Sequence, residues 1–159
     1  MFRTFFAKPA KTGVNAMPAY FDSSVLLSIV LGDEHATHAR RLWHDEIDRV
    51  SSLLLHIECA TVLRRIPDAQ LSGENRRDAE ERLGLALEEV TLKPVDDGIA
   101  EVVRATSGLS DCRALDAAHL ATALYFRDGG DAELRVCTFD ARMGDVAARL
   151  GLRVVTAET

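Results

Sequence analysis

Four acidic side chains of this sequence stand at places where a parallel sheet would gather them into one pocket. Asp22 and Asp140 each end an apolar run that is typical of a buried strand, and Glu58 comes shortly after a third apolar run. Asp116 interrupts an otherwise apolar helical pattern. In an open α/β sheet, functional groups collect beyond the carboxyl ends of the strands, and carboxylates crowded there repel one another unless they share protons or bind a cation. Oxygen ligands with no obvious Cys or His partner suit Mg²⁺ or Mn²⁺, so the pattern predicts a divalent-metal site.

Each of the four acids also has a simpler interpretation. Asp22 and Asp140 could be N-caps of the helices that follow them, and a cap at the carboxyl end of a strand would still face the crevice. Glu58 opens a predicted helix, where the helix dipole favours a carboxylate. Asp116 could pair with Arg113, three residues earlier on the same helix face. The coincidence of four acids at matching places favours a metal-binding or catalytic role over four separate structural roles.

The remaining polar residues give weaker signals. His119 lies one turn after Asp116 and could be a metal ligand or a proton carrier. A histidine on an apolar helix is more often a hydrogen-bonded core residue, and we favour that interpretation. We interpret other histidines and the arginine pairs as solvated or partly buried surface residues. They are His35, His38 and His44 and the pairs Arg40-Arg41, Arg64-Arg65 and Arg76-Arg77. The sequence contains no dinucleotide fingerprint, no Walker loop, no nucleophile elbow and no zinc-type spacing of Cys and His.

Strand-like and helix-like patterns alternate along the chain, which predicts an α/β fold with a parallel sheet covered by helices on both faces. The predicted strands are 19–21, 51–55, 92–95, 134–139 and 152–156. The predicted helices are 23–31, 33–50, 57–66, 74–90, 98–106, 113–126 and 141–150. The helices 57–66 and 74–90 are expected to form a hairpin between strands, with an apolar stripe that packs on the protein's own core or on a second subunit.

The composition bounds the class of protein. With 159 residues, of which 47% are hydrophobic and 28% charged, the chain is expected to be globular, and no apolar run approaches the roughly 18 residues that cross a bilayer. The net charge of −6 does not indicate nucleic-acid binding, so that role would need a local basic patch or metal ions. Three scattered cysteines in apolar stretches predict buried free thiols and a cytoplasmic location. Residues 1–16 are interpreted as a loose N-terminal extension, and residues 17–159 as a single domain.

Three segments resemble motifs of PIN-domain ribonucleases, and most closely those of the VapC-like toxins of prokaryotic toxin–antitoxin pairs. The segments are Tyr20–Leu26, Arg113–Ala123 and Cys137–Met143. They occur in the order of the family, and the resemblance covers about residues 17–157. The resemblance implies a PIN-like three-layer sandwich, in which helices flank a central parallel sheet.

The resemblance also implies a magnesium-dependent endoribonuclease that acts as the toxin of a toxin–antitoxin pair. The four acidic positions of the family fall on Asp22, Glu58, Asp116 and Asp140. The three aspartates are expected to hold Mg²⁺ or Mn²⁺, and Glu58 to complete the charge or to orient the attacking water. Arg113, with Arg64 or Arg142 as alternatives, is expected to contact the RNA phosphates. Thr138, the small polar residue near the last acid, is also expected to contact the RNA substrate. The implied protein partners are a small antitoxin and a second copy of the chain in a homodimer.

Two other functions remain to be separated from this one. A phosphatase of the haloacid-dehalogenase type would need a second Asp two residues after the first, and Ser24 occupies that place. A catalytically silent PIN-like module would act only by binding a partner protein, but the retention of all four acids argues against it. RNA cleavage by the purified protein, with Mg²⁺ or with EDTA, would distinguish the three.

Overall fold

The computed structural model describes residues 17–45 and 48–157 of the chain. The strands of the described residues are β1 (Ala19–Phe21), β2 (Arg49–Ser52), β3 (Val90–Lys93), β4 (Arg135–Cys137) and β5 (Arg153–Val155). The helices are α1 (Ser23–Leu31), α2 (Ala36–Asp45), α3 (Leu54–Arg65), α4 (Gly73–Leu87), α5 (Asp97–Ala105), α6 (Ala114–Asp128) and α7 (Ala141–Arg149). The predicted N-terminal extension, residues 1–16, lies outside the described residues.

The strands form one sheet in the order β3-β2-β1-β4-β5. Every neighbouring pair in this sheet is parallel. The central strand β1 therefore has β2 on one side and β4 on the other, and its carboxyl end lies beside both of theirs. The predicted α/β architecture is confirmed, and the same arrangement brings the residues after β1, β2 and β4 to one edge of the sheet.

Helices cover both faces of the sheet, as a three-layer sandwich requires. Side chains alternate along a strand, so Ala19 and Phe21 of β1 pack into the core formed with α1, α2, α3 and α4. Tyr20, between them, points into the second core, which is formed mainly with α5, α6 and α7. All three β1 side chains are fully buried. Tyr20 is thus a polar residue in the centre of the molecule, and its hydroxyl needs a partner there.

The boundary between α2 and β2 corrects the sequence prediction. The predicted helix 33–50 is too long: α2 ends at Asp45, and Arg49 and Val50 belong to β2. The predicted strand 51–55 is displaced, because Leu54 and Leu55 already lie in α3. A short apolar run fits a buried strand and a buried helix equally well, so periodicity could not decide between them. The part of this prediction that concerns Ile47 lies outside the described residues.

The hairpin of α3 and α4 lies between β2 and β3 in the sequence, as predicted, and α3 lies beside the candidate site. Its apolar stripe packs on the protein's own core, since Leu63 of α3 and Ala79, Leu83 and Ala86 of α4 are buried together with α1 residues. The predicted helix 74–90 ends early, because Val90 opens β3.

Two predictions based on composition can be compared with the described part of the chain. Cys59 and Cys137 are buried free thiols, as expected, whereas Cys112 is only partly buried. None of the described helices combines the length and the apolar composition that crossing a membrane requires.

Candidate metal and catalytic site

The four predicted acids are carried by elements that meet at the carboxyl edge of the sheet. Asp22 directly follows β1 and caps α1, and Asp140 follows β4 and caps α7 through the backbone N–H of Met143. Asp116 lies in the first turn of α6. Glu58 lies one turn into α3 rather than in its first turn, because the helix begins at Leu54. The capping interpretation of the two strand-end aspartates is therefore correct, and it is compatible with a second use of their carboxylates.

The Asp22 carboxylate is held by one of its two oxygens. Oδ2 accepts hydrogen bonds from the Ser24 backbone N–H at 3.3 Å and from the Ser24 hydroxyl at 2.7 Å. The Thr138 hydroxyl donates to the same oxygen at 3.0 Å. Among the hydrogen bonds of the described residues, Oδ1 of Asp22 takes none. The side chain is only 5% exposed, so its orientation is fixed and its second oxygen is left for another partner.

Ser24 and Thr138 also connect the ends of β1 and β4. The Ser24 hydroxyl oxygen accepts a hydrogen bond from the backbone N–H of Phe139 at 2.9 Å. The Thr138 hydroxyl oxygen accepts one from the backbone N–H of Asp140 at 3.1 Å. Thr138 is fully buried. The predicted contact of Thr138 with RNA does not fit this position, because its hydroxyl is buried and occupied in holding Asp22 and the chain that leads to Asp140.

Glu58 is hydrogen-bonded to the buried His119. The Nε2 atom of His119 lies 2.8 Å from Oε2 of Glu58, and its Nδ1 atom lies 2.6 Å from the hydroxyl of Tyr20. Burial alone would raise the pKa of Glu58, but hydrogen bonds from His119 and Ser23 and the attraction of the imidazole lower it below its ordinary value. The carboxylate form of Glu58 is therefore favoured. The interpretation of His119 as a hydrogen-bonded core residue agrees with its contacts, although one partner is a candidate catalytic acid.

Three of these side chains are close enough to converge on one small group. Ligand atoms of Asp22, Glu58 and His119 all lie within 4.8 Å of one another. The sequence does not reveal this pairing, because Tyr20 and His119 are 99 positions apart and Glu58 and His119 are 61 apart. The only signal is indirect: a tyrosine in a buried strand and a histidine in an apolar helix must each find a hydrogen-bond partner.

Asp116 of α6 and Asp140, the N-cap of α7, are not part of this group of three side chains, but the charges of Asp140 and Asp22 act on Asp116. The pKa of Asp116 is raised above its ordinary value, first by partial burial and then by the negative charges of Asp140 and Asp22. Arg113 and Arg142 oppose this increase. Arg113 acts on Asp116 only through this longer-range attraction, since the ion pairs of the described residues do not include one between them. The alternative interpretation of Asp116 as the partner of Arg113 in a salt bridge is therefore not supported, and Asp116 remains a carboxylate crowded by other carboxylates.

The donor set fits a hard divalent cation. Asp22 offers a fixed carboxylate oxygen, and Asp140 uses Oδ1 for its cap and retains Oδ2. The raised pKa of Asp116 means that its charge is electrostatically costly without a counter-ion, and a cation would remove that cost. Carboxylate oxygens are the ligands that Mg²⁺ and Mn²⁺ prefer.

Comparisons with known proteins agree with this fold. A family model described as PIN domain matches residues 19–149. Ribonuclease VapC46 of Mycobacterium tuberculosis is 36% identical over 138 residues, which cover 86% of this chain and 95% of that protein. A chain of a toxin–antitoxin complex from Klebsiella pneumoniae is 26% identical with a TM-score of 0.60, and the match covers 88% of this chain and 98% of that one.

A further solved structure supports the fold alone. VapBC2 from Rickettsia felis, crystallised with a DNA fragment from its promoter, has a TM-score of 0.62 at 7% identity. That match covers 89% of this chain and 100% of the other. The sheet and its helices are thus shared even where the two sequences have little in common.

Proposed function

The chain belongs to the PIN domain family, in its VapC-like group, and from this membership we propose that it is a metal-dependent endoribonuclease that acts as the toxin of a toxin–antitoxin pair. The observation that carries the proposal is the convergence of Asp22 and Glu58, with Asp116 and Asp140 electrostatically coupled to the same pocket. Ribonuclease activity appears in the name of the Mycobacterium tuberculosis relative. Hydrolysis of RNA phosphodiester bonds is the reaction that we assign to the four-carboxylate site.

In this proposal Asp22, Asp116 and Asp140 hold Mg²⁺ or Mn²⁺. Asp22 contributes Oδ1, since Ser24 and Thr138 already occupy its Oδ2. A ligand at the end of a strand and the start of a helix is held more rigidly than one on a free loop, which favours binding in a single geometry. When bound, the cation lowers the pKa of a coordinated water and offsets the negative charge that develops on the phosphate.

Glu58 is assigned to the attacking water. Its lowered pKa keeps it a carboxylate near neutral pH, so it can accept a hydrogen bond from water and orient that water towards the phosphorus. Its Oε2 atom is held by His119. Its side chain is 21% exposed, so water or the cation can reach the carboxylate.

Contacts with the RNA backbone are assigned to basic side chains beside the acids. Arg113 precedes α6 and Arg142 lies in the first turn of α7, and both are exposed. Both also act to lower the pKa of Asp116, which supports a role for them in contacting the scissile phosphate of the proposed substrate. Phosphate contacts of this type give affinity and position without reading the base sequence. Thr138 is assigned to holding Asp22 rather than to contacting RNA.

The proposed partners are a small antitoxin and a second copy of the chain, and the proposed location is the cytoplasm. The antitoxin partner is supported by the Klebsiella pneumoniae neighbour, whose solved structure is a toxin–antitoxin complex. In the resting state, we expect a basic antitoxin side chain, with Arg as the best fit, to block the acidic pocket. A guanidinium matches a carboxylate with two parallel hydrogen bonds and would compete with the cation.

Asp116→Asn tests the activity. The amide keeps the shape of the side chain but removes a negative ligand, so RNA cleavage in Mg²⁺ should fall by at least about 100-fold, and EDTA should abolish the wild-type reaction. Cleavage of a short unstructured RNA is measured by gel, and folding by circular dichroism. The matched control is Asp145→Asn, which makes the same chemical change at an exposed aspartate of α7 that has no assigned role and should cleave at the wild-type rate.

Three results would contradict the proposal. Wild-type protein that leaves RNA intact with both Mg²⁺ and Mn²⁺ would favour the catalytically silent module that binds only a partner. Cleavage that persists in EDTA would remove the metal from the reaction. An Asp116→Asn variant that cleaves as fast as wild type would show that Asp116 has no catalytic role.

A further inference from the structure

A chain of hydrogen bonds connects the end of β2 to Glu58. The backbone N–H of Ser52, at the end of β2, donates to the Tyr20 hydroxyl oxygen at 3.2 Å. The same hydroxyl lies 2.6 Å from Nδ1 of His119, and Nε2 of His119 lies 2.8 Å from Oε2 of Glu58. Four separate elements, β2, β1, α6 and α3, are thus connected to the carboxylate that the proposed function assigns to the attacking water.

The members of this chain are deeply buried. Tyr20 is 0% exposed and His119 is 1% exposed, whereas Glu58 reaches the pocket surface. Polar groups buried in a core destabilise the fold unless all of their hydrogen bonds are made. Apolar residues of similar shape would fill the same space without that free-energy cost. Packing alone therefore does not account for both a hydroxyl and an imidazole in the centre of the second core.

The partners determine which ring nitrogen of His119 carries the proton. A tyrosine hydroxyl carries its proton at neutral pH, so Tyr20 has one proton to donate. Its oxygen accepts a hydrogen bond from Ser52, and its proton is available to Nδ1 of His119 at 2.6 Å. When Tyr20 donates to Nδ1, the ring proton lies on Nε2 and is donated to Glu58.

This arrangement also separates two roles for His119. Nε2 is near enough to Asp22 and Glu58 to be considered a metal ligand. With Nδ1 bound to Tyr20 and Nε2 bound to Glu58, neither ring nitrogen offers a lone pair to a cation in this structure. Outer partners of this type fix the orientation of a functional carboxylate, and their loss commonly reduces activity about 10- to 100-fold.

We propose that His119 is a positioning residue that holds Glu58 through Nε2–H, and that the Tyr20 hydroxyl sets the His119 tautomer needed to do so. This inference rests on the proposed ribonuclease function. Its physical content is separate, however, since the tautomer and the hold on Glu58 exist in the metal-free protein and can be observed without any reaction.

Two substitutions of His119 distinguish positioning from the other roles. His119→Gln keeps one donor and one acceptor but can neither carry a proton nor replace an imidazole ligand, so it should retain more activity than His119→Leu. We expect kcat for RNA cleavage to fall about 10- to 100-fold in His119→Leu, with KM little changed, and by less than about 10-fold in His119→Gln. Equal inactivation by Gln and Leu would show a ligand or proton carrier and overturn the proposal, as would full activity of His119→Leu.

Tyr20→Phe tests the other half of the chain. Nitrogen-15 NMR of the metal-free protein should show His119 protonated on Nε2 in wild type, and a loss of that preference in Tyr20→Phe together with a lower kcat. The matched control is Thr122→Val, which removes another buried hydroxyl from α6, one that donates only within its own helix. It should leave the His119 tautomer and kcat unchanged, and melting curves of all variants report their folding.

The outcomes for this proposal and for the nuclease are distinguishable. A wild-type ring protonated on Nδ1, or a tautomer that Tyr20→Phe does not alter, overturns the positioning chain even if the protein cleaves RNA. A wild-type protein that does not cleave RNA rejects the nuclease, while the NMR measurement still decides whether the chain exists.

Discussion

At the scale of single residues, the two oxygens of the Asp22 carboxylate have different tasks. Oδ2 holds the side chain in place through Ser24 and Thr138, and Oδ1 remains for a cation. A helix cap and a metal ligand are therefore not competing interpretations of Asp22, because a carboxylate has enough lone pairs for both. Ser24 connects two parts of this arrangement, since its hydroxyl holds Asp22 and also accepts from the backbone N–H of Phe139, next to Asp140.

The crowded charge of Asp116 predicts a pH-dependent gain in stability on its removal. Its raised pKa means that the folded state disfavours the carboxylate, so the cost exists above the folded pKa and disappears as the pH falls below the ordinary value of 3.8. In EDTA at pH 7, Asp116→Asn should be more stable than wild type by on the order of 0.5 kcal/mol, or roughly 1–2 °C in Tm. The measurement is a series of thermal melts from pH 7 to pH 3.

The control for this series is again Asp145→Asn, which should show no comparable pH dependence. Mg²⁺ should reverse the order, because a cation that binds the folded state stabilises wild type more than a variant with one ligand fewer. If Asp116→Asn is less stable than wild type at pH 7 in EDTA, the carboxylates are not crowded as the structure indicates.

Residue types and spacing indicated the acids of the candidate site but not the side chains that hold those acids in place. Asp22, Asp116 and Asp140 could be singled out as candidates because each stands beside a strand or inside an apolar helix, where a buried charge needs a partner. The contact of His119 with Glu58 could not be found, because it depends on how α6 and α3 are placed by the sheet between them. Tertiary geometry, and not local pattern, decides such partners.

At the scale of elements, the sequence predicted β1, α1 and α7 well and misplaced β2. β1 and α7 have clear limits in Asp22, Asp140 and Gly151, where capping residues or a left-handed glycine end the pattern. β2 is followed by Leu53-Leu54-Leu55 without a Gly or Pro, and its end is set by contact with β1 and β3 instead. Local sequence signals thus define the end of an element only where a capping residue or a left-handed glycine changes the backbone conformation.

One arginine connects the two helices of the hairpin of α3 and α4. Arg76 of α4 donates to the backbone carbonyls of Leu63 and of Ile66 at the end of α3, and to Leu71 in the loop. It also pairs with Asp68. The interpretation of Arg76-Arg77 as a solvated pair is therefore wrong for Arg76, whose charge satisfies carbonyls that the end of a helix leaves without partners.

Arg76→Ala should loosen this hairpin. The loss of several charge-assisted hydrogen bonds to partly buried carbonyls should reduce the free energy of unfolding by about 1–3 kcal/mol. The neighbouring Arg77 is exposed, and Arg77→Ala should change the same quantity by no more than about 0.5 kcal/mol. Urea unfolding of both variants measures the difference, and equal effects would show that Arg76 does not hold the hairpin.

At the scale of the whole molecule, the charge of −6 and the surface of the hairpin bear on the antitoxin partner. A groove of about 240 Å³ lies between α3 and α4 and is lined by His56, Ala60, Arg64, Glu80, Leu83, Gly84 and Leu87. An apolar antitoxin segment in such a groove, followed by a basic segment at the acidic pocket, would match both surfaces. The groove and the candidate site share α3, where Ala60 and Glu58 are two positions apart and project to different sides of the helix, so the two antitoxin segments would contact different faces of α3.

Filling the groove should therefore prevent antitoxin binding without removing the acids. Gly84 is exposed, and a Cβ atom there would meet no other atom within 4 Å, so Gly84→Phe can project a ring into the groove without strain in α4. The matched control is Gly84→Ala, which also removes the helix-destabilising glycine but leaves the groove open because its side chain is small.

Size-exclusion chromatography with the protein encoded by the neighbouring gene should show a joint peak for wild type and Gly84→Ala, and none for Gly84→Phe. RNA cleavage should be inhibited by that protein in the first two and persist in the third. A joint peak with inhibited cleavage for Gly84→Phe would place the antitoxin elsewhere on the surface, and the acidic pocket alone would then have to account for the inhibition.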